Sequence, residues 1–192
     1  MSGDEIAVTI GWIARHTPKG AGAGGREAAI LDIAQDLLLR DLQFAGALDA
    51  LVFKGGTALR KLYAGNQGRF SLDLDFSLAD PEPIILDLAG NIDGTSIGPF
   101  SYGVSERRGK WSVTVTSPFN DGRTVLSSNV SPPVWLDPAW RGWVPMPVHA
   151  TYGERPLPPL QVVRLEENLA EKISRLNRTT TARDMYDVAL PC

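Results

Sequence analysis

The stretch Phe70-Ser71-Leu72-Asp73-Leu74-Asp75-Phe76-Ser77-Leu78 alternates strictly between apolar and polar residues. A period of two predicts a β-strand, with Phe70, Leu72, Leu74, Phe76 and Leu78 on its buried face. Residues i and i+2 of a strand share a face, so Asp73 and Asp75 project together, with Ser71 on the same side. Two neighbouring carboxylates repel each other. A Mg²⁺ ion, which takes carboxylate oxygens together with substrate phosphates, would offset that repulsion. A solvated strand face that carries two aspartates is the plainer reading of the pattern alone.

Upstream, Ala50 to Phe53 is a short apolar run, Gly55-Gly56 follows it, and Thr57 to Tyr63 has helical character. This reads as strand, tight turn, helix. Two glycines let a backbone approach a ligand closely, and the start of a helix offers free N–H groups to phosphate, with Thr57 as a cap. Lys54, Arg60 and Lys61 add positive charge nearby. An ordinary tight turn would need no more than the same two glycines. Further upstream, residues 19–25 read as a flexible loop and Arg26 to Phe44 as a helix. In that helix Ile30, Ile33, Leu37 and Leu38 form the apolar stripe, and Asp32, Gln35, Asp36 and Arg40 fall mostly outside it.

Downstream, Asp80-Pro81 ends the alternating strand and a helix is predicted from Pro83 to Ala89. Lys110 to Ser117 alternates again and, across a break at 120–122, forms a predicted hairpin with Thr124 to Val130. Eight of the 14 prolines lie between residues 131 and 160, which marks an extended connection. Leu165 to Leu176 and Ala182 to Leu190 are predicted helices. At about 100° per residue, Leu165, Leu169, Ile173 and Leu176 share an arc of about 80°, with an Asn168–Lys172–Arg175 ridge along one flank. Glu166, Glu167 and Glu171 point mostly elsewhere on this count, and Lys172 is placed either to act or simply to snorkel. Arg183 and Asp187, four apart, are spaced to pair on the surface.

Composition narrows the classes. The chain has 192 residues, 43% hydrophobic and 21% charged, enough for one compact core. A single Cys (Cys192) and two His (His16, His149) exclude a disulfide scaffold and argue against a zinc site. Asp4 and Glu5 stand where a secretory signal carries cations, and no run reaches the roughly 18 apolar residues of a membrane span. A cytoplasmic protein without membrane contact is the expectation. The net charge of −3 divides into an acidic first half and a mildly basic second: 8 Lys and Arg against 13 Asp and Glu through residue 100, then 11 against 9.

Four segments together resemble a known family. They are Phe53-Lys54-Gly55-Gly56-Thr57-Ala58-Leu59-Arg60-Lys61, Arg69-Phe70-Ser71-Leu72-Asp73-Leu74-Asp75-Phe76, Leu165-Glu166-Glu167-Asn168-Leu169-Ala170-Glu171-Lys172-Ile173 and Ala182-Arg183-Asp184-Met185-Tyr186-Asp187. In this order they resemble the motifs of the AbiEii/AbiGii nucleotidyltransferase toxins, the family that includes the mycobacterial MenT toxins. The first two motifs are shared with many DNA polymerase β-like nucleotidyltransferases, and the last two narrow the choice. The resemblance implies an α+β, polymerase β-like fold: a mixed sheet with flanking helices, a core over residues 1–160 and a short helical C-terminal lobe over 161–192.

It also implies a toxin of a type IV-like toxin–antitoxin pair, partnered by a cognate antitoxin, that transfers nucleotides from an NTP to the 3′ acceptor end of tRNA. That modification blocks aminoacylation and translation. Carried over residue by residue, Asp73 and Asp75 would hold Mg²⁺, and Lys54, Gly55, Gly56 and Thr57 would cradle the triphosphate. Lys172, with Arg175, would contact the phosphates, Asp187 would be an essential acidic residue, and Ser71 occupies the place of a hydroxyl phosphorylated in some relatives. Many related enzymes take a third carboxylate from a later strand. Lys110–Ser117 offers no acid, and Asp137 sits among prolines. The alternatives are the same chemistry on a protein or small-molecule hydroxyl, or an inactive binding module of the same fold.

Overall fold

The computed structural model describes residues 5–20, 22–78, 83–107, 110–120, 124–131, 134–176, 178–179 and 181–189. The Asp80-Pro81 stop, the break at 121 and 122, and Cys192 lie outside the described residues.

Among the described residues eight strands form one mixed sheet: β1 (Leu51–Lys54), β2 (Asp73–Leu78), β3 (Ser96–Ile97), β4 (Phe100–Arg107), β5 (Lys110–Thr116), β6 (Thr124–Ser131), β7 (Ala139–Arg141) and β8 (Leu160–Val162). Their spatial order is β3-β4-β5-β6-β2-β1-β8-β7. β1 and β2 pair antiparallel, with Phe53 opposite Phe76 and Lys54 opposite Asp75. β6 lies parallel to β2 on one side, and β8 lies parallel to β1 on the other. The predicted hairpin is present, since β5 and β6 pair antiparallel from Trp111–Ser128 to Val115–Thr124.

The alternating stretch forms a strand only from Asp73 onward. Leu74 and Phe76 are buried, but Leu72 is 42% exposed, so the expected five-residue apolar face shortens to its second half. The proline-rich connection is extended as read, yet it also contributes β7 and a 3₁₀ turn at Pro147–Thr151.

Among the described residues six α-helices accompany the sheet: α1 (Ile10–His16), α2 (Gly22–Phe44), α3 (Gly55–Leu59), α4 (Pro83–Ile92), α5 (Leu165–Leu176) and α6 (Ala182–Ala189). α3 runs on directly into a π-helical turn, Arg60–Ala64. α2 begins inside the glycine-rich segment that composition assigned to a flexible loop. No helix among the described residues is long and apolar enough to cross a membrane.

The greatest departure from expectation is in α2. Every residue from Ala29 to Arg40 is buried, including Asp32, Gln35, Asp36 and Arg40, which periodicity had placed away from the core. Burying a charge is costly unless it is paired and hydrogen-bonded, and here each one is. Asp32 accepts from Arg60 Nε (3.0 and 3.1 Å to its two oxygens), His16 Nε2 (2.7 Å) and Lys61 Nζ (3.0 Å). Asp36 accepts from Lys61 Nζ and from the Tyr152 hydroxyl at 2.6 Å. Gln35 Nε2 donates to the Ser71 carbonyl at 3.1 Å, and Arg40 donates to the Tyr152 carbonyl at 2.7 Å. Burial by itself would raise both aspartate pKa values, but the charge of Lys61 prevails, and each carboxyl is held below its ordinary range.

Arg60 and Lys61 are therefore not surface cations beside the glycine turn. Both are buried and committed to α2. The result is a polar seam that ties α2 to the π turn behind Gly55-Gly56 and, through Gln35, to the residue two before Asp73. Those are the two segments the candidate site is built on.

Candidate active site

Gly55 follows Lys54 at the end of β1 and adopts φ +79°, a conformation that L side chains rarely take. A Cβ there would lie 2.5 Å from Asp75 Oδ2, because the β1–β2 register sets Lys54 against Asp75 and brings that carboxylate over the turn. At Gly56 a Cβ would meet Arg69 Nη2 at 2.9 Å and Ser71 Oγ at 3.2 Å. The two glycines are thus required by what presses on the turn: a carboxylate on one, a guanidinium and a hydroxyl on the other. Thr57 does not cap α3; its hydroxyl donates to the Asp73 carbonyl and ties the start of α3 to the start of β2.

Asp73 and Asp75 are half-buried and separated by the buried Leu74, as the alternation requires. On the side of β2 away from β1 the neighbouring strand is β6, not the Lys110–Ser117 strand. Its register puts Ser127 opposite Asp73 and Asn129 opposite Asp75. β6 carries no carboxylate, and Asp137 is exposed on the connection, where its carbonyl accepts from Arg164 Nε at 2.8 Å. Among the described residues no three acidic, His or Cys side chains cluster as metal ligands. The dyad still fits Mg²⁺, which is commonly bound through one or two carboxylates plus substrate phosphates.

α5 closes over the turn with its polar side. Glu167, Asn168 and Lys172 are buried, while Ile173, from the expected apolar stripe, is 50% exposed. The buried face therefore takes in Asn168 and Lys172 of the predicted ridge together with Glu167, which periodicity had pointed elsewhere. The polar side chains of this side are engaged: Asn168 Nδ2 donates to the Gly55 carbonyl at 3.3 Å, Lys54 Nζ donates to Glu171 Oε1 at 2.6 Å, and Glu167 accepts the Trp135 and Leu136 amides at 2.8 and 2.9 Å. Glu167 and Glu171, expected to point away, are both structural. Arg175 is exposed at the far end of the ridge.

Asp187 on α6 pairs neither with Arg183, which is exposed, nor with solvent. It receives Arg69 Nε and Nη2 at 2.9 and 2.7 Å and Lys172 Nζ at 2.7 Å. Asp184 stands 3.8 Å from Lys172 Nζ, and its other oxygen accepts from Thr181 Oγ1, whose hydroxyl in turn receives the Asp184 amide. Sequence reasoning missed Arg69 and Asp184 as members of this cluster. Arg69 stood inside a quoted motif, but nothing local shows that its partner lies 118 residues away. Among the described residues, Asp184 and Asp187 gather on Lys172 and Arg69, and Glu171 on Lys54, so the cations near the Asp73–Asp75 pair are themselves engaged by carboxylates.

Residues 36–190 match the family described as nucleotidyl transferase AbiEii toxin, type IV TA system. The chain belongs to that family. Among solved structures it is similar to MenT4, a nucleotidyltransferase toxin from Mycobacterium tuberculosis H37Rv. The TM-score is 0.84 at 40% identity, over 94% of this chain and 63% of MenT4. It also shares the fold of JHP933 from Helicobacter pylori, with TM-score 0.52 and 18% identity over 84% of this chain and 64% of the other. The chain thus spans less than two thirds of the length of both. No curated protein sequence matches it. The mixed sheet with flanking helices agrees with the α+β fold that the motifs imply.

Proposed function

We propose that this chain is a cytoplasmic toxin that transfers nucleotides from an NTP to the 3′ acceptor end of tRNA, blocking aminoacylation and translation until a cognate antitoxin restrains it. The observation that carries the nucleotidyltransferase reading is the convergence of Arg69 and Lys172 on buried Asp187, beside a glycine turn that touches Asp75. In it, residues 1–160 form the core and 161–192 the lobe that completes the site.

The reaction is in-line attack of the acceptor 3′-oxygen on the α-phosphorus, with pyrophosphate leaving. Such chemistry depends chiefly on positioning and charge neutralisation. Gly55, Gly56 and Thr57 present backbone N–H groups to the triphosphate, with Lys54 beside them. Lys172 and Arg69 face its negative charge, and Arg175 guides the nucleotide at the rim. Asp73 and Asp75 would hold Mg²⁺, which when bound polarises the α-phosphate and offsets the charge that develops there. Asp187 already accepts three N–H donors and is 2% exposed. It therefore holds the two cations in place, and the proton of the attacking hydroxyl passes to a carboxylate oxygen of Asp75. Ser71 Oγ lies against Gly56, so a phosphate added there would occupy the cradle. An S71E variant that bound NTP as well as the wild type would remove this control from the reading.

The test is incubation with bulk tRNA, Mg²⁺ and each α-labelled NTP, beside an Asp73→Ala control. Label on tRNA that requires Asp73 is the expected result and names the nucleotide. Nucleotide bound without label on tRNA would transfer the reading to a protein or small-molecule hydroxyl, and no binding at all would indicate an inactive module.

A further inference from the structure

A cleft of about 720 Å³ opens beside the site, between α1, the segment from Asn66 to Phe70, the 3₁₀ turn at Pro147 and Tyr186. Its chemistry departs from that of the chain, whose net charge is −3: among the described residues no Asp or Glu lines it, whereas Arg15, Lys19 and Arg69 do. Arg15 and Lys19 are exposed on the outer wall, and Arg69 stands at the inner end with its guanidinium on Asp187. The cleft therefore leads from solvent to the cluster that holds Lys172.

Its walls are also aromatic and held in place. The Arg15 guanidinium lies 4.3 Å from the centroid of the Trp12 ring, a planar cationic stack. Tyr186, one residue before Asp187, donates its hydroxyl to the Gln67 carbonyl at 2.7 Å and is 47% exposed as a residue. Phe70 is braced by the Arg60 guanidinium at 4.0 Å. Cationic groups that track a phosphate backbone, interleaved with aromatic faces on which bases stack, are the features of single-strand nucleic-acid binding. An acidic protein segment would use the cations but has no call for planar stacking surfaces.

From this juxtaposition we infer that the cleft binds the single-stranded nucleotides just upstream of the acceptor's 3′ end. Arg15 and Lys19 take backbone phosphates, the Trp12–Arg15 stack and Tyr186 take bases, and the terminal hydroxyl is delivered past Arg69 to the site. This inference rests on the nucleic-acid acceptor proposed above. It locates the acceptor's approach on the α1 side, where Trp12, Arg15 and Lys19 lie outside the four motifs and face Arg69, Phe70 and Tyr186 within them.

The test separates the two claims. Anisotropy of a 5′-fluorescein single-stranded RNA, titrated at several salt concentrations without NTP, compares wild type with an R15A/K19A double variant and with W12A. Both substituted cations are exposed, so the double variant keeps its fold. The expected result is RNA affinity lowered about tenfold in R15A/K19A, with the slope of log K against log salt reduced by about 1.4 for two lost contacts to a single strand. W12A is expected to lose at least about fivefold, and NTP binding stays unchanged in both. In tRNA labelling, R15A/K19A then raises KM for tRNA at constant kcat. Unchanged RNA affinity and salt slope in R15A/K19A overturn the inference, and a loss of affinity for an oligoglutamate peptide in the same variant would assign the cleft to a protein instead. Wild type that binds RNA through the cleft but never labels tRNA upholds the cleft and overturns the tRNA-transfer reading. Normal labelling of tRNA by R15A/K19A does the reverse.

Discussion

Lys61 is the residue on which the buried seam depends, and Lys61→Met tests whether that seam maintains the site. Its ammonium is fully buried and donates to Asp32 Oδ1 at 3.0 Å, to the Asp32 carbonyl at 3.0 Å and to Asp36 Oδ1. After removal, Asp32 keeps Arg60 and His16. Asp36 keeps the Tyr152 hydroxyl at 2.6 Å, with His149 Nε2 at 3.5 Å. The uncompensated charge is therefore that of Asp36, and breaking a buried pair from one side costs about 3–5 kcal/mol. That loss is a large fraction of a typical domain's stability and corresponds to a fall in Tm of roughly 6–20 °C at this size. The loss also acquires a pH dependence. Without Lys61, burial dominates and raises the Asp36 pKa, so the folded variant takes up a proton as pH falls and the penalty shrinks from pH 7 towards pH 5. Urea unfolding at both pH values measures this, and adding Asp36→Asn to Lys61→Met should recover about 1–3 kcal/mol at neutral pH. A loss under about 1 kcal/mol for Lys61→Met, or one equal at the two pH values, refutes the claim that Lys61 keeps Asp36 ionised.

Further outcomes follow from the same geometry. Gly55→Ala forces a left-handed backbone on an L residue, at roughly 1–2 kcal/mol, and drives its Cβ into Asp75; thermal melts should show a modest fall while nucleotide transfer is lost, and full transfer would contradict the close approach. Asp187→Asn loosens Arg69 and Lys172, so transfer should fall about 100-fold with the pH profile of kcat unmoved. Disappearance of the acidic limb of that profile would instead make Asp187 the base. The lowered pKa values of Asp32 and Asp36 mean that their contribution to stability is present above about pH 4 and is lost as pH falls below it. Tyr102 and Tyr152, raised chiefly by burial, add a second loss as pH rises past about 10. Circular dichroism against pH would show a plateau between these limits, and a decline already complete at pH 5 would contradict the lowered aspartates.

Much of the architecture is legible because each chain segment carries its own period. The alternation around Asp73 and Asp75 yields a strand with both carboxylates on one side, and the helical spacing of 165–176 yields α5 to the residue. The glycine pair announces a backbone approached at close range, and the structure supplies the atoms that approach it. The four motifs identify the family before any coordinate is consulted.

What periodicity misreads is which polar residues lie inside. It treats each side chain by its own preference for water, and on that rule α5 buries its leucines and α2 exposes Asp32 and Asp36. The fold buries Asp32 and Asp36 in α2, and in α5 buries Glu167 and Lys172 while its leucines are only partly covered, because an ionised group leaves water only when a partner is waiting, and the partners lie far off along the chain: Arg60 and Lys61 for α2, Arg69 for Asp187, Lys54 for Glu171. β6 rather than β5 flanks the carboxylates for a similar reason, since a parallel neighbour can come from anywhere in the chain. The sequence by itself determined the elements, the carboxylate pair, the glycine turn and the family. Only the tertiary structure decided how the charges pair, that Asp187 clamps two cations, and that a basic aromatic cleft leads to them, because pairing is a property of contacts that exist once the chain has folded.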